Sequence, residues 1–246
     1  MDKELVDTLK HLRLGGLLAH WDEYLAHAQR QRFSHVRLLR HILDEEMKLK
    51  RDNARLFRLR RAMIPELLDL ATFPFARQPK LDRKKIIALF DGFDYMTNTQ
   101  NIIWMGPTGC GKTGLATGFL IQAINRGHSG RFVSFHNLIQ ELFTATADHS
   151  EDKVIKRYLA YDCLLIDELG YIEVEPAQTG QFFTLMQRRH RHKTTMITSN
   201  LGFDEWRSFL KNDHLTAALI DRLTENSHVI NMKNCRSLRP KLCQET

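Results

Sequence analysis

The stretch of sequence that decides the fold is Gly106-Pro107-Thr108-Gly109-Cys110-Gly111-Lys112-Thr113. It matches the pattern G-x-x-x-x-G-K-[S/T] in full, and an apolar run, Ile102-Ile103-Trp104-Met105, comes directly before it. Glycines here let the backbone curl so that N–H groups point at phosphate oxygens, and the following helix directs its positive end at the same anion. We expect Lys112 to reach the β- and γ-phosphates of ATP and the Thr113 hydroxyl to hold Mg²⁺.

A second polar signal ends a later apolar run, Cys163-Leu164-Leu165-Ile166-Asp167-Glu168. The apolar residues predict a buried central strand, whose carboxyl end delivers two carboxylates to the ligand side of the sheet. We expect Asp167 to hold Mg²⁺, directly or through water, and Glu168 to orient and deprotonate an attacking water. The pair therefore adds ATP hydrolysis to the predicted ATP binding.

A third candidate is Asn200, which ends the β-branched run Thr194–Ser199. Its amide could hydrogen-bond the γ-phosphate or the water beside Glu168. It could instead be a turn-forming Asn before Leu201-Gly202.

Strands and helices alternate after residue 100, which predicts a parallel sheet covered by helices on both faces. The apolar setting of Phe132, Phe135, Phe143, Phe182 and Phe183 predicts core positions for them. We predict strands at 101–105, 131–136, 163–167, 194–199 and 228–232, and helices at 111–126, 137–146, 153–160, 177–192 and 213–224.

The N-terminal third reads as helical and basic. Residues 2–31 predict one or two helices that Gly15-Gly16 bends or breaks, and Ser34 predicts the N-cap of a long helix over about 35–62. The later face of that helix is either solvated or contacts nucleic-acid phosphates, and its shortage of opposing charge favours the second. Its basic residues are Lys48, Lys50, Arg51, Arg55, Arg58, Arg60 and Arg61.

Composition supports this division of the chain. The net charge of +7 is concentrated in residues 1–83, which hold 17 Lys and Arg against 12 Asp and Glu. We predict a helical N-terminal domain over 1–65, a proline-punctuated linker over 66–83 and an ATPase domain over 84–246.

No apolar run approaches the roughly 18 residues that span a bilayer, and Met1-Asp2-Lys3-Glu4 lacks a signal-peptide pattern, so we expect a cytoplasmic protein without a membrane partner. The cysteines, Cys110, Cys163, Cys235 and Cys243, lack metal-ligand spacing and are expected to be thiols.

Taken in order, these motifs resemble a known family. The phosphate loop is followed by 165–171 (Leu-Ile-Asp-Glu-Leu-Gly-Tyr), 197–201 (Ile-Thr-Ser-Asn-Leu) and 217–223 (Ala-Ala-Leu-Ile-Asp-Arg-Leu). This order resembles IstB, the AAA+ ATPase that assists an insertion-sequence transposase, within a wider group that includes the DnaC helicase loaders and DnaA initiators. The resemblance runs from the N-terminal helices to about Arg239. It implies an AAA+ P-loop NTPase fold preceded by a small all-α domain.

The resemblance also implies roles for individual residues. Asn200 matches the sensor of the γ-phosphate, and Arg222 matches an arginine finger that reaches the ATP of a neighbouring subunit. Arg239 matches the Arg of the family's Ser-Tyr-Arg and implies a nucleotide contact within the same chain. Residues 137–160 lie where the initiators insert helices that line a DNA channel, which implies DNA contacts for Lys153, Lys156 and Arg157.

Departures from the family pattern leave alternatives open. Gly114 replaces a common His, with little consequence expected for the chemistry. Leu238 replaces the Tyr of Ser-Tyr-Arg, so Arg239 could be a solvated residue instead.

Two other basic sites also have alternative interpretations. Arg222 could be an exposed helix residue paired with Asp221 or Glu225. The cluster 188–193 could serve DNA, a subunit interface or only the polar end of a helix.

The resemblance implies a transposition helper that binds ATP and Mg²⁺, assembles as a homo-oligomer on duplex DNA without sequence specificity, and presents that DNA to its cognate transposase. Its ATPase would be stimulated by DNA, self-assembly or the transposase. The alternatives are a DnaC-type helicase loader that handles single-stranded DNA, a nucleotide-dependent scaffold and a small-molecule P-loop kinase. The Asp-Glu pair, which suits water activation, and the basic N-terminal helices argue against the kinase.

Overall fold

The computed structural model describes residues 1–147, 149–171 and 174–239, and the chain divides into two compact units, Met1–Phe57 and Arg58–Thr246. The predicted linker over 66–83 and the domain limits on either side of it stay predictions. The end of the predicted ATPase domain, including Cys243, lies outside the described residues.

The first unit contains α1 (Lys3–His11), α2 (Gly15–Ala19), α3 (Trp21–Arg30) and most of α4 (His35–Arg61). Residues 2–31 thus form three helices instead of the predicted one or two. The first break falls at Arg13, which has a left-handed φ of 54°. Gly16 allows close approach to α4, since a Cβ there would lie 2.3 Å from Leu49 Cδ1. The Ser34 hydroxyl accepts a hydrogen bond from Arg37 N at 3.3 Å, as expected of an N-cap.

A buried carboxylate completes the packing of the first unit. Glu46 on α4 is only 4% exposed and accepts a hydrogen bond from Leu17 N at 3.0 Å. This N–H lies in the first turn of α2, where helix backbone donors lack intrahelical partners and a negative charge is favourable. The carboxylate of α4 therefore serves as the cap that the Gly-rich start of α2 lacks.

The second unit is built on five parallel strands. They are β1 (Asn101–Met105), β2 (Gly130–Ser134), β3 (Cys163–Leu169), β4 (Thr194–Ser199) and β5 (Ser227–Asn231). The described helices that accompany them are α5 (Arg83–Gly92), α6 (Asp94–Thr97), α7 (Lys112–Asn125), α8 (Phe135–Thr144), α9 (Glu151–Leu159), α10 (Pro176–Arg189), α11 (Phe203–Leu210) and α12 (Asp213–Thr224). The connector between α4 and α5, residues 62–82, contains two short 3₁₀ turns, Leu70–Thr72 and Phe75–Arg77.

The sheet has the strand order β2-β3-β4-β1-β5, so β4 lies between the strand of the phosphate loop and the strand of the Asp-Glu pair. The bounds predicted for β1, β4 and α12 are confirmed. The predicted strand over 131–136 ends two residues early, because the Ser134 hydroxyl caps α8 by accepting from Asn137 N at 3.2 Å. Helices α5, α6 and α11 had no counterpart among the predictions.

Alternate strand residues supply two separate core layers. Ile102 and Trp104 pack with Phe119 of α7 on one face, whereas Ile103 packs with Phe135 and the helices of the other face. Burial on both faces explains why the strands read as continuous apolar runs. Phe135 and Phe182 are buried, and Phe132 and Phe183 pack partly buried against the cores, but Phe143 is 51% exposed and its predicted core position is wrong. Among the described helices, none combines the length and the apolar character needed to cross a membrane.

Candidate functional site

The phosphate loop joins β1 to α7 through backbone that only glycine adopts easily. Gly109 and Gly111 have φ values of 79° and 98°, in the left-handed region. Gly106 is required for a different reason, since a Cβ there would lie 2.7 Å from the carbonyl carbon of Met232. The loop therefore curls at the carboxyl end of β1, and α7 begins at Lys112 with its N-terminus facing the loop.

Lys112 is folded inward on this loop. The side chain is 7% exposed, and its Nζ donates hydrogen bonds to Gly106 O at 2.7 Å and Pro107 O at 2.8 Å. Burial lowers the pKa of this ammonium, while nearby Cys110 and the Asp167 and Glu168 carboxylates oppose the shift. A buried cation held by two neutral carbonyls is placed to bind phosphate oxygens, which are stronger partners for it.

Asp167 is the point where the loop and the neighbouring strands meet. Its carboxylate accepts hydrogen bonds from the Thr113 hydroxyl at 2.9 and 3.2 Å and from the Thr198 hydroxyl at 2.5 Å. The structure thus brings together residues from α7, β3 and β4 that lie far apart in sequence. The sequence marks Thr198 only as a member of the 197–201 motif, and nothing in that motif predicts its hydrogen bond to Asp167.

Glu168 differs sharply from the neighbouring Asp167. The pairing of β3 with β4 shifts register between Ile166 and Leu169, which is a β-bulge at the Asp-Glu pair. Glu168 has a φ of 62°, its side chain is exposed, and its N–H donates to Thr198 Oγ1 at 3.0 Å. A non-glycine residue in this conformation is strained, and such strain clusters at functional sites. The bulge turns Glu168 toward the same cavity that Lys112 and Thr113 line.

The cavity above the loop has a volume of about 640 Å³ and collects residues from separate segments. Arg239 lies in its wall, and the preceding residue holds this segment on the loop, with Leu238 N donating to Gly109 O at 2.8 Å. Tyr171 also lines it, and its hydroxyl lies 2.8 Å from Thr108 Oγ1. The remaining described lining residues are Glu66, Leu68, Thr108, Gly109, Gly111, Lys112, Thr113, Glu168, Thr198 and Leu238.

Glu66 and Leu68 belong to the connector, in the part that was predicted to be a linker (66–83). Phe73, in the same stretch, packs so closely on Gly111 that a Cβ there would meet its ring at 2.6 Å. No motif marks these residues, since they gain their place only through tertiary packing. The connector is therefore part of the site.

Asn200 lies just after β4 and carries a buried side-chain oxygen. This Oδ1 makes no hydrogen bond among the described residues. An unpaired buried acceptor in a native structure calls for an explanation, and a ligand or water supplies one. The side chain is not among the described residues that line the cavity. Its sensor role stays a prediction.

Arg222 lies far from the phosphate loop of its own chain. It is in the last turn of α12, and the next strand, β5, starts at Ser227 beside Asn101, at the amino end of β1. Lys112 follows the opposite end of β1. The Arg222 guanidinium donates to Ala218 O at 2.9 Å and lies 5.1 Å from the centre of the Phe183 ring. This cation therefore does not serve its own site.

The two sets of candidate DNA contacts differ in their partners. Lys48 and Arg51 on α4 are exposed, and neither has an acidic group within 4.0 Å in the described ranges. On α9, Lys156 pairs with Asp152 at 2.7 Å and Arg157 pairs with Glu141. Lys153 is exposed, Arg55 is half-buried, and Arg58 has a buried Nε that lacks a hydrogen bond within the described chain.

The basic cluster at 188–193 is used inside the chain. Arg188 pairs with Asp152 and Lys193 with Asp162, at 2.7 and 2.6 Å, while His190 and Arg191 share Glu225. Arg189 is only 1% exposed and donates to four partners, the Thr195 hydroxyl and the carbonyls of Tyr158, Tyr161 and Thr194. Among the three alternatives for this cluster, the polar end of a helix is nearest to these contacts, but none of the three foresaw that Arg189 is buried.

A parallel sheet in this order, with the phosphate loop after β1 and the Asp-Glu pair at the end of β3, defines the class: an AAA+ P-loop NTPase with a helical N-terminal region. Solved structures with this fold include DnaI, with a TM-score of 0.57 and 18% identity over 68% of this chain and 91% of that one. The DnaC helicase loader has a TM-score of 0.52 and 21% identity over 61% of this chain and 87% of that one.

The family follows from the sequence as a whole. The model of the IstB-like ATP binding proteins matches residues 7–245, and the chain belongs to this family. One relative, from Geobacillus stearothermophilus, is named for ATP binding in insertion sequence IS5376. It is 28% identical over all of this chain and 98% of its own length. The resemblance to IstB and the predicted binding of ATP are thereby confirmed.

Proposed function

We propose that this protein is an ATP-dependent helper of transposition, which assembles on duplex target DNA, presents it to a partner transposase and hydrolyses ATP as a switch. Membership of the IstB-like family and a relative named for an insertion sequence support a role in transposition. The single observation that carries the mechanism is the division of the site. Lys112, Thr113 and Asp167 meet at one end of the sheet, whereas Arg222 lies toward the other.

The proposed hydrolysis needs Mg²⁺, and the oxygen atoms at the site suit it. The Thr113 hydroxyl and Asp167 carboxylate are hard ligands that lie in contact. Over the described ranges, no group of three or more His, Cys, Asp or Glu could hold a metal ion, so ATP phosphates and water would complete the coordination. The ion would neutralise phosphate charge, while the exposed Glu168 carboxylate orients and deprotonates water. The Gly106–Gly114 loop and Arg239 would bind the nucleotide, and Asn200 would sense the γ-phosphate.

The proposed trigger for hydrolysis is a neighbouring subunit. An arginine at the γ-phosphate stabilises the charge of the transition state and accounts for roughly 10³- to 10⁵-fold in turnover in related chemistry. Arg222 is held half-buried against Phe183, too far around its own sheet to act in cis. Supplied to the next subunit, it makes hydrolysis depend on assembly.

The proposed DNA surface centres on α4. Its exposed Lys48 and Arg51 have no acidic partner in the described ranges, and Arg55 and Arg58 lie farther along the helix. The α9 cations Lys156 and Arg157 already have carboxylate partners, so binding a phosphate would compete with existing ion pairs. Lys153, on the same helix, is exposed and has no ion pair in the described ranges, so it stays a candidate. Contacts of this kind read phosphate charge and not sequence.

One experiment tests the function as a whole. Turnover of ATP and particle size are measured without DNA, with duplex and with single-stranded DNA of equal phosphate number, at stated salt. We expect a large ATP-dependent assembly on duplex and faster turnover there. Glu168→Gln should assemble in the same way but lose turnover. A monomer whose turnover ignores DNA would contradict the proposal.

A second function, loading of a helicase, is favoured by one observation, the shared fold with the DnaC helicase loader. The same experiment separates the two. Assembly and stimulation specific to single-stranded DNA would support the loader, and a preference for duplex would support the transposition helper.

The surface assignment has its own test. Removing both unpaired cations, Lys48→Ala with Arg51→Ala, should weaken duplex binding and lower the slope of log affinity against log salt by about 2, since each phosphate contact contributes roughly 0.9. The matched control is Lys156→Ala with Arg157→Ala, for which we expect a smaller change because these charges are already paired. The reverse order of effects would move the DNA surface to α9.

A further inference from the structure

A buried glutamine lies behind the phosphate loop and joins it to the C-terminal segment. Gln78 is in the connector before α5 and is 1% exposed. Its Nε2 donates to Cys110 O at 3.1 Å and to Arg236 O at 2.6 Å, and its Oε1 accepts from Arg236 N at 2.9 Å. One side chain thus makes three hydrogen bonds to backbone groups of two segments that are separated by more than a hundred residues.

The orientation of this carboxamide is fixed by its partners. The amine faces two carbonyl oxygens and the oxygen faces an N–H, so the opposite orientation would set oxygen against oxygen twice. A carboxylate or an apolar side chain of the same size could not replace it. The former lacks donors, and the latter leaves two carbonyls and one N–H without partners.

The hydrogen bond to Cys110 O bears on the phosphate loop directly. In a planar trans peptide the carbonyl of one residue and the N–H of the next point in opposite directions. Gln78 holds the Cys110 carbonyl, so the N–H of Gly111 points away from Gln78. Gly111 lines the cavity and has a φ of 98°, a conformation from which an unrestrained glycine can readily escape.

The two hydrogen bonds to Arg236 act on the other wall of the cavity. They fix the backbone at the start of a short segment that runs over the loop, where Leu238 N donates to Gly109 O and Arg239 lines the cavity. Arg239 lies near enough to Lys112 that its charge helps lower the Lys112 pKa. Gln78 therefore holds a backbone donor and a cation toward the same phosphate site.

We infer that Gln78 is a positioning residue for ATP, which sets the Gly111 N–H and Arg239 together and couples their contributions to phosphate binding. Gln78 is not among the described residues that line the cavity, and it acts through the backbone. The inference rests on the proposed role of this site in holding the ATP phosphates.

The test is a double-mutant cycle read by ATP affinity, with the full chain and Mg²⁺ present. We expect Gln78→Leu to weaken ATP about tenfold, the loss of roughly one hydrogen bond to a charged group. Arg239→Ala should weaken it by a similar factor. The double variant should lose clearly less than the product of the two factors, because an unheld Arg239 is already misplaced in Gln78→Leu.

A matched control separates positioning from general loss of a buried amide. Gln122, 8% exposed on α7, accepts from the Tyr95 hydroxyl at 2.8 Å and donates to Phe90 O at 2.6 Å. Gln122→Leu should lower the melting temperature but leave ATP affinity within about twofold, and it should show no coupling to Arg239→Ala.

If Gln78→Leu does not fold, Gln78→Glu replaces it in the cycle. Its ATP affinity relative to the wild type should improve as pH falls from 8 to 6, since a buried carboxyl is readily protonated and regains one donor. Multiplicative effects of Gln78→Leu and Arg239→Ala, or a pH-independent deficit in Gln78→Glu, would overturn the inference. Failure of the wild type to bind ATP would instead refute the proposed site itself.

Discussion

The two ends of the parallel sheet use polar residues in opposite ways. At the amino end, the polar side chains hydrogen-bond to groups of the same chain. The Asn101 amide donates to Leu223 O and accepts from Thr195 N. Arg189 donates to Thr194 O, and Asp162 accepts from Lys193. At the carboxyl end, Lys112 and Asp167 also have partners, but they lie beside an open cavity. Polar groups whose hydrogen bonds are made within the chain indicate a structural role, whereas polar groups that converge on a cavity indicate a binding or catalytic role.

Arg222 is the exception that links the two ends. It belongs by position to the amino end, yet we propose that it completes the carboxyl-end site of a neighbour. Arg222→Ala should therefore keep ATP affinity within about twofold and lose roughly 10³-fold or more of DNA-stimulated turnover. Binding by equilibrium titration and turnover with duplex DNA measure the two. Turnover at the wild-type level would return Arg222 to a structural role against Phe183.

Two buried cations, one at each end, sharpen the comparison. Lys112→Met should reduce ATP affinity roughly a hundredfold or more, because it removes a partner of the phosphates. It should cost less stability than Arg189→Met, since only two carbonyls, those of Gly106 and Pro107, lose a donor. Arg189→Met should cost about 3 kcal/mol of unfolding free energy, since it removes the donor to two buried carbonyls and one partly buried carbonyl, and the folded fraction should bind ATP normally. Denaturant unfolding and ATP titration of both variants measure the two effects. A larger loss of stability in Lys112→Met, or a larger loss of ATP affinity in Arg189→Met, would contradict the comparison.

The smallest expected effect is a pH dependence from the amino end of β3. Burial raises the pKa of Asp162, but hydrogen bonds from Lys193 and Ser129 outweigh it and bring the value to about 2. Because the pKa is lower in the folded state, the stabilisation is present above the ordinary value near 3.8 and is lost as pH falls through about 2.

For this partly exposed group, solvent screening reduces the contribution to about 1 kcal/mol. Unfolding free energies of the wild type and Asp162→Asn, compared between pH 6 and 3, would detect it. The difference between the two proteins should shrink toward acid pH, and a constant difference would show that the charge of Asp162 is not involved.

The sequence was sufficient for the parts of the site that local chemistry determines. The glycines and Lys112 must follow a strand and open a helix, and the Asp-Glu pair must end another strand, so their placement could be predicted from spacing. Continuous β-branched or apolar runs also gave β1 and β4 at their observed bounds. Gln78 and Phe73 could not be predicted, because only packing brings the connector against the loop. The same holds for Arg157, whose partner Glu141 lies on a different helix.

The central claim, that two subunits share each ATP site, is tested most directly by mixing two inactive variants. Arg222→Ala retains Glu168 but supplies no arginine to its neighbour, whereas Glu168→Gln supplies Arg222 but cannot activate water. In a head-to-tail assembly, roughly a quarter of the interfaces in an equal mixture would pair an intact Glu168 with an intact Arg222. We predict that turnover on duplex DNA returns to roughly that fraction of the wild-type rate. Turnover no higher than the sum of the separate variants, in mixtures shown to co-assemble, would contradict the shared site.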